Sequence, residues 1–149
     1  MKKVILTTVA CLFLSGIVYA QTPFLETFFE SHAKQDGFTY IYAGKLFMNV
    51  NIPNNVKEMF GDIKYVKMLT YEKGNSQKLK SIRTQLSGIM RADSFELILK
   101  VEEIGEILEI YFKEPTKKDD GNVLVLMGDG IDLTIIWVNG VLKSQIKSK

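Results

Sequence analysis

The sequence predicts an α+β fold: one antiparallel-rich sheet of five or six strands, two amphipathic helices packed on one face, and a short C-terminal helix. Three observations lead there. Residues 94–114 alternate apolar and polar side chains on both sides of a tight turn, as a hairpin does. Further runs rich in aromatic and β-branched residues supply the remaining strands. Two other segments carry apolar stripes at helical spacing, and such a stripe beside a half-dry sheet is buried by packing on it.

The chain opens with Met1-Lys2-Lys3, runs through the apolar VILTTVACLFLSGIV and reaches Val18-Tyr19-Ala20 before Gln21. A charged start, a short apolar stretch and a small residue at the cut mark residues 1–20 as a secretory signal peptide. A bilayer span needs about 20 apolar residues, and Thr7, Thr8, Ser15 and Gly16 interrupt a shorter run. Cys11, the sole cysteine, offers lipid attachment as the rival reading. Apolar residues continue past it from Leu12 to Val18, which favours cleavage after Ala20 and export to the periplasm or medium, with no transmembrane span left after the cut. Residues 21–149 then form a single domain without a thiol, which excludes disulfides, thiolate zinc sites and cysteine nucleophiles. Lys2 and Lys3 leave with the leader, so 17 basic residues face 17 acidic ones. A neutral domain lacks the excess of Lys and Arg that nucleic acid demands.

Thr22-Pro23 suits a helix start, and Phe24, Leu25, Phe28, Phe29 and His32 follow at helical spacing, giving a helix from Pro23 to about Gln35 that Asp36-Gly37 ends. FTYIYA, residues 38–43, reads as a strand. Lys45 to Met48 suits one helical turn, Val50 to Asn55 a loop around Pro53, and Val56 to Phe60 a second short helix stopped at Gly61. Ile63 to Glu72 is a strand whose apolar residues change phase at Val66 and Met68, the mark of an interior strand with a bulge. Asn75 or Ser76 caps a helix with the stripe Leu79, Ile82, Leu86, Ile89 and Met90.

In the hairpin, Ile104-Gly105 as a two-residue loop sets Glu103 against Glu106. Val101 then meets Leu108, Leu99 meets Ile110 and Leu97 meets Phe112 on one face, while Lys100 meets Glu109 and Glu96 meets Lys113 on the other. The apolar set Leu97, Leu99, Leu108, Ile110 and Phe112 is expected to be the floor of the core. A polar connection, Pro115 to Gly121, leads to Val123–Met127 and Ile131–Val138. An Asp129-Gly130 loop pairs Leu126 with Leu133 and Leu124 with Ile135, and because both faces are apolar this hairpin is expected to be central or covered on both sides. Trp137 falls at the hinge to the tail, and residues 140–147 suit a short terminal helix.

Few residues carry chemistry. His32 is the only histidine and shares a face with Phe28 and Phe29, which reads as packing, not catalysis. No serine sits in a G-x-S-x-G turn. Glu102, Glu103 and Glu106 crowd one turn, and Asp119, Asp120, Asp129 and Asp132 lie in loops that adjacent strands could bring to one end of the sheet. Acidic residues suit turns in any case, and the twelve-residue calcium-loop pattern is absent. No metal, cofactor or catalytic residue is assigned.

The strand followed by Gly44-Lys45-Leu46-Phe47-Met48, the strand ending Met68-Leu69-Thr70-Tyr71-Glu72, and the hairpin Val101-Glu102-Glu103-Ile104-Gly105-Glu106 leading to Ile110-Tyr111-Phe112-Lys113-Glu114 resemble a domain-of-unknown-function family. Its members are small exported proteins, often lipoproteins, of Bacteroidetes-type bacteria. The resemblance implies an envelope location and one α+β domain, and carries no catalytic residues with it. The leading expectation is a non-enzymatic periplasmic module that binds an envelope protein partner in signalling or maintenance, with peripheral membrane contact a further option. A carrier of a small apolar ligand or lipid, with Phe24, Phe28, Phe29, Phe47 and Met48 bordering a pocket, is the second, and a carboxylate-based enzyme the third.

Overall fold

In the computed structural model the described residues are 23–45, 47, 54 and 60–142. In chain order they form α1 (Pro23–Ala33), β1 (Phe38–Gly44), β2 (Phe60–Tyr71), α2 (Ser76–Ala92), β3 (Glu96–Glu103), β4 (Glu106–Lys113), β5 (Gly121–Gly128) and β6 (Leu133–Leu142). The strands make one six-stranded sheet in the order β1-β2-β6-β5-β4-β3, every neighbouring pair antiparallel. The fold is α+β. Among the described residues no helix is long and apolar enough to cross a membrane.

The helices start and stop for local reasons. The Asn75 side chain accepts a hydrogen bond from the Lys78 amide at 3.0 Å, satisfying one of the free donors at the start of α2. At its other end the Asp93 and Phe95 amides donate to the Ile89 and Met90 carbonyls, and Ser94 takes the left-handed conformation, φ 61°, that turns the chain into β3. Leu79, Ile82, Leu86 and Met90 are buried, as the stripe requires, with Ile89 packed at their margin.

All these buried residues, together with Leu25, Phe28 and Phe29 of α1, join one cluster with Leu69, Tyr71, Leu124, Leu126, Leu133, Ile135 and Trp137 of the sheet. The pairing register puts those sheet residues on a single side, because Leu69 faces Ile135, Ile135 faces Leu126, and Trp137 faces Leu124. Phe29 anchors α1 there, its ring centroid 5.6 Å from that of Trp137 and 6.4 Å from that of Tyr40. Lys67 lies on the same side and is 6% exposed. Its ammonium is ion-paired with Glu26 and sits 4.9 Å from the Tyr65 ring and 5.0 Å from the Trp137 ring, where the aromatic faces offset part of its lost hydration.

Several expectations need correcting. The supposed core floor lies elsewhere: Leu97 and Leu99 are exposed, Leu108, Ile110 and Phe112 are only half-buried, and the core forms on the opposite side, where β4 contributes Tyr111. The first hairpin has the expected register from its tip to Leu99, but a bulge between Leu97 and Leu99 pairs Leu97 with Tyr111 and Glu96 with Phe112. The extra residue moves Leu97 to the other side of the sheet from Leu99. In the second hairpin Leu126 pairs with Ile135 and Leu124 with Trp137, two residues from the expected register. The cause is a four-residue turn, in which the Asp129 carboxylate accepts from the Ile131 and Asp132 amides at 2.8 and 2.7 Å. A shift of two keeps each side chain on its face. That hairpin is central in the sheet, yet Met127 is exposed and Val123, Val125, Ile136 and Val138 are half-buried, so it is not covered on both sides by the described residues. Trp137 is fully buried inside β6 instead of standing at a hinge. Phe60 and Gly61 open β2 instead of closing a helix, and residues 140–142 continue β6 as strand; residues 56–59 and 143–149 lie outside the described residues. The bulged interior strand expected at Ile63–Glu72 is present as β2, with register shifts at Phe60/Asp62 and Ile63/Tyr65.

Candidate functional site

The side of the sheet away from the core is built from three straight rows, each drawing one residue from every strand. The middle row, read across the sheet, is Ile41, Met68, Ile136, Val125, Ile110 and Leu99. One flanking row is Thr39, Thr70, Thr134, Met127, Leu108 and Val101. The other is Ala43, Val66, Val138, Val123, Phe112 and Glu96. Glu96, at one corner, is the only charge among these eighteen positions.

None of the eighteen belongs to the buried core, which holds the buried apolar side chains of both helices. Ile41 is 47% exposed, Leu99 45% and Met127 41%, with the central Val125 and Ile136 half-buried by their row neighbours. With strands about 4.8 Å apart and side-chain rows about 7 Å apart, the face covers about 600 Å². A contiguous apolar patch of that size is at the top of the range for a monomer surface and marks a contact site. Sequence periodicity carries a signal for it: β2, β5 and β6 are apolar in both phases, so each has an apolar set to spare after the core is filled.

The residues named for an apolar pocket differ in burial. Phe28 and Phe29 are buried in the core, with their ring centroids 6.1 Å apart, Phe24 and Phe47 are exposed, and Met48 lies outside the described residues. His32 is a packed residue. Its Nδ1–H donates to the Phe28 carbonyl at 2.8 Å, and its ring centroid lies 4.3 Å from that of Phe28, tilted, and 5.2 Å from that of Phe38, edge-on.

The carboxylates divide differently from the expectation. Asp119 and Asp120 precede β5 while Asp129 and Asp132 follow it, so eight strand residues, about 26 Å, hold the two pairs at opposite ends of the sheet. Asp119 instead joins a buried polar network. Asn122 Oδ1 accepts from Trp137 Nε1 at 2.9 Å and from Asn139 Nδ2 at 2.7 Å, and Asn122 Nδ2 donates to Asp119 Oδ2 at 3.0 Å. Every member is partnered, which fits a clamp between the connection and the sheet. Asp129 is held below the usual carboxylate range by the Asp132 and Ile131 amides that bond to it. Among the described residues no three His, Cys, Asp or Glu side chains are placed to hold a metal ion.

Two open grooves meet at the turn end of the sheet. The larger, about 1000 Å³, runs between α2, with Lys80, Arg83 and Arg91, and the first hairpin tip, with Glu102, Glu103 and Glu106. Its walls carry opposite charges and no nucleophile paired with a base. Beside it, Tyr111 donates to Glu109 Oε2 at 2.7 Å, and burial followed by that bond pushes its phenol up to about 12. The smaller groove, about 500 Å³, borders the apolar face at Val101, Leu108 and Met127. Neither is lined by the aromatic residues of the pocket expectation.

No curated protein and no solved structure matches the chain. The profile of one family, described as a domain of unknown function (DUF4252), matches residues 29–146, which span α1 from Phe29 to the end of β6 and so include all three rows of the apolar face. With most of its length inside that match, the chain belongs to the DUF4252 family.

Proposed function

We propose that this protein is a non-enzymatic interaction module of the cell envelope, exported under its N-terminal leader, and that it works by docking the apolar face of its sheet away from the core on an apolar partner surface. One observation carries the reading: three rows of six residues, with a single corner charge, lie outside the core cluster that takes up the buried side chains of both helices. Because the buried stripes of both helices join the core cluster, this side is an open apolar surface among the described residues, and such surfaces bind by excluding water over area instead of by enclosing a small molecule. Phe28 and Phe29, buried in the core, are taken up by packing, which supports a surface over a pocket as the working part.

The test is a photo-activated cross-linking side chain placed at Met127 on this face and, separately, at Lys80 on α2, in cells that make the protein. Adducts from position 127 and none from position 80 are the expected result. Cross-linking from position 80 alone would assign the work to the helical side and overturn the reading.

A further inference from the structure

Taking that face as the working surface, we infer that its occupant is a second copy of this chain, the two sheets packing face to face about a twofold axis that runs along the strands. The argument is one of shape. Such an axis, passing between β5 and β6, lays β6 of one copy over β5 of the other, β2 over β4 and β1 over β3, with each row falling on its own equivalent.

In the outer rows three bulky side chains on the β5–β4 half fall opposite smaller ones on the β6–β2 half, while Val123 meets Val138 and Val101 meets Thr39 at matched size. Thr134 falls opposite Met127 of the second copy, Thr70 opposite Leu108, and Val66 opposite Phe112. Met127, Leu108 and Phe112 thus each meet a recess, which is how two sheets interdigitate at about 10 Å spacing. In the middle row Ile41 falls opposite Leu99, aliphatic on aliphatic. Glu96 falls opposite Ala43 at the margin, where its carboxylate reaches solvent past the shortest side chain of the face.

Area agrees with shape. About 600 Å² from each copy makes about 1,200 Å² in total, the lower end of what stable specific interfaces bury. An interface of that size and no buried charge suits a dimer with a dissociation constant on the order of micromolar.

The test is sedimentation of the purified chain over a concentration series reaching about 100 µM, roughly a hundredfold above that constant. A monomer–dimer equilibrium is expected. Ile41→Lys and Leu99→Glu, both on exposed edge-strand positions that fold without burial, should each weaken the dimer at least tenfold, and Ile104→Lys at the exposed hairpin tip should leave it unchanged. Mixing the Ile41→Lys and Leu99→Glu chains should restore dimer, because the twofold sets position 41 of one copy against position 99 of the other. A monomer at every concentration overturns the dimer, as does a dimer that ignores both face substitutions. If the chain stays monomeric while an apolar dye binds it and Met127→Lys abolishes that binding, the second copy is wrong and the docking face stands. If the dye and the cross-linker at position 127 also find nothing, both fall.

Discussion

The indole Nε1–H of Trp137 donates to Asn122 Oδ1 at 2.9 Å, and the same oxygen accepts from Asn139 Nδ2 at 2.7 Å, with all three residues buried. This junction ties the connection before β5 to the centre of the sheet. Asn122→Ala removes the shared acceptor, leaving the buried Trp137 indole N–H without a partner and Asn139 Nδ2 with only Asp119 Oδ1 at 3.3 Å, an expected loss of about 1 to 3 kcal/mol. Trp137→Phe removes one donor and keeps Asn122 bonded to Asn139, so its loss should come from packing. Urea unfolding of the two variants separates them, and in the Asn122→Ala variant the emission of this sole tryptophan reports its own surroundings directly.

Lys67 and Glu26 make a pair with one end buried and one end half-exposed. Glu26→Gln leaves the ammonium facing the Tyr65 and Trp137 rings without its counter-charge, and should cost about 1 to 2 kcal/mol, below the range for fully buried pairs because solvent reaches the Glu26 side. Lys67→Met keeps the length of the side chain and removes the charge, and should change stability by less than about 1.5 kcal/mol. In the double variant the Glu26→Gln penalty should vanish, which thermal denaturation of the four proteins checks.

Gly140 faces the bulged stretch of β2. A Cβ there would stand 2.5 Å from the Asp62 carbonyl oxygen and 2.8 Å from the Ile63 Cα, both of them backbone that cannot step aside. Gly140→Ala should therefore destabilise the protein by about 2 kcal/mol. Gly130, with open space around it, should accept alanine within about 0.5 kcal/mol. Urea midpoints of the two variants give the contrast.

Asp93 closes α2 with its Oδ2 buried and without a hydrogen-bond partner. Burial raises its pKa from the ordinary 3.8, and Lys113 opposes the shift only in part. The unfolded chain thus ionises this group at lower pH than the folded one. The penalty is absent below the unfolded value, grows as pH rises through the folded value, and is complete at neutral pH. Asp93→Asn should raise stability at pH 7 by up to about 1 kcal/mol and have no effect near pH 3. Unfolding curves at the two pH values decide it.

By itself the chain already determines the two longer helices, the six strands in outline, the tip register of the first hairpin, and the apolar stripe of α2, because each rests on local periodicity and on turn chemistry such as Gly105 at φ 85°; the short helices expected at 56–60 and 140–147 are strand at Phe60 and at 140–142. It also discloses that β2, β5 and β6 are apolar in both phases. Only the tertiary structure decided which phase is inside. Alternation cannot rank Leu124 and Leu126 against Val123 and Val125; the choice falls to long-range packing, with Phe29 of α1 against Trp137 and the Asn122–Asn139 pair held on the same side. The first hairpin then follows its neighbour, since joining β4 to β5 places Tyr111 beside Leu124 and turns Leu108, Ile110 and Leu99 away from the core. A face is a property of the whole sheet, assembled from residues up to a hundred positions apart in the chain, and no window of sequence contains it.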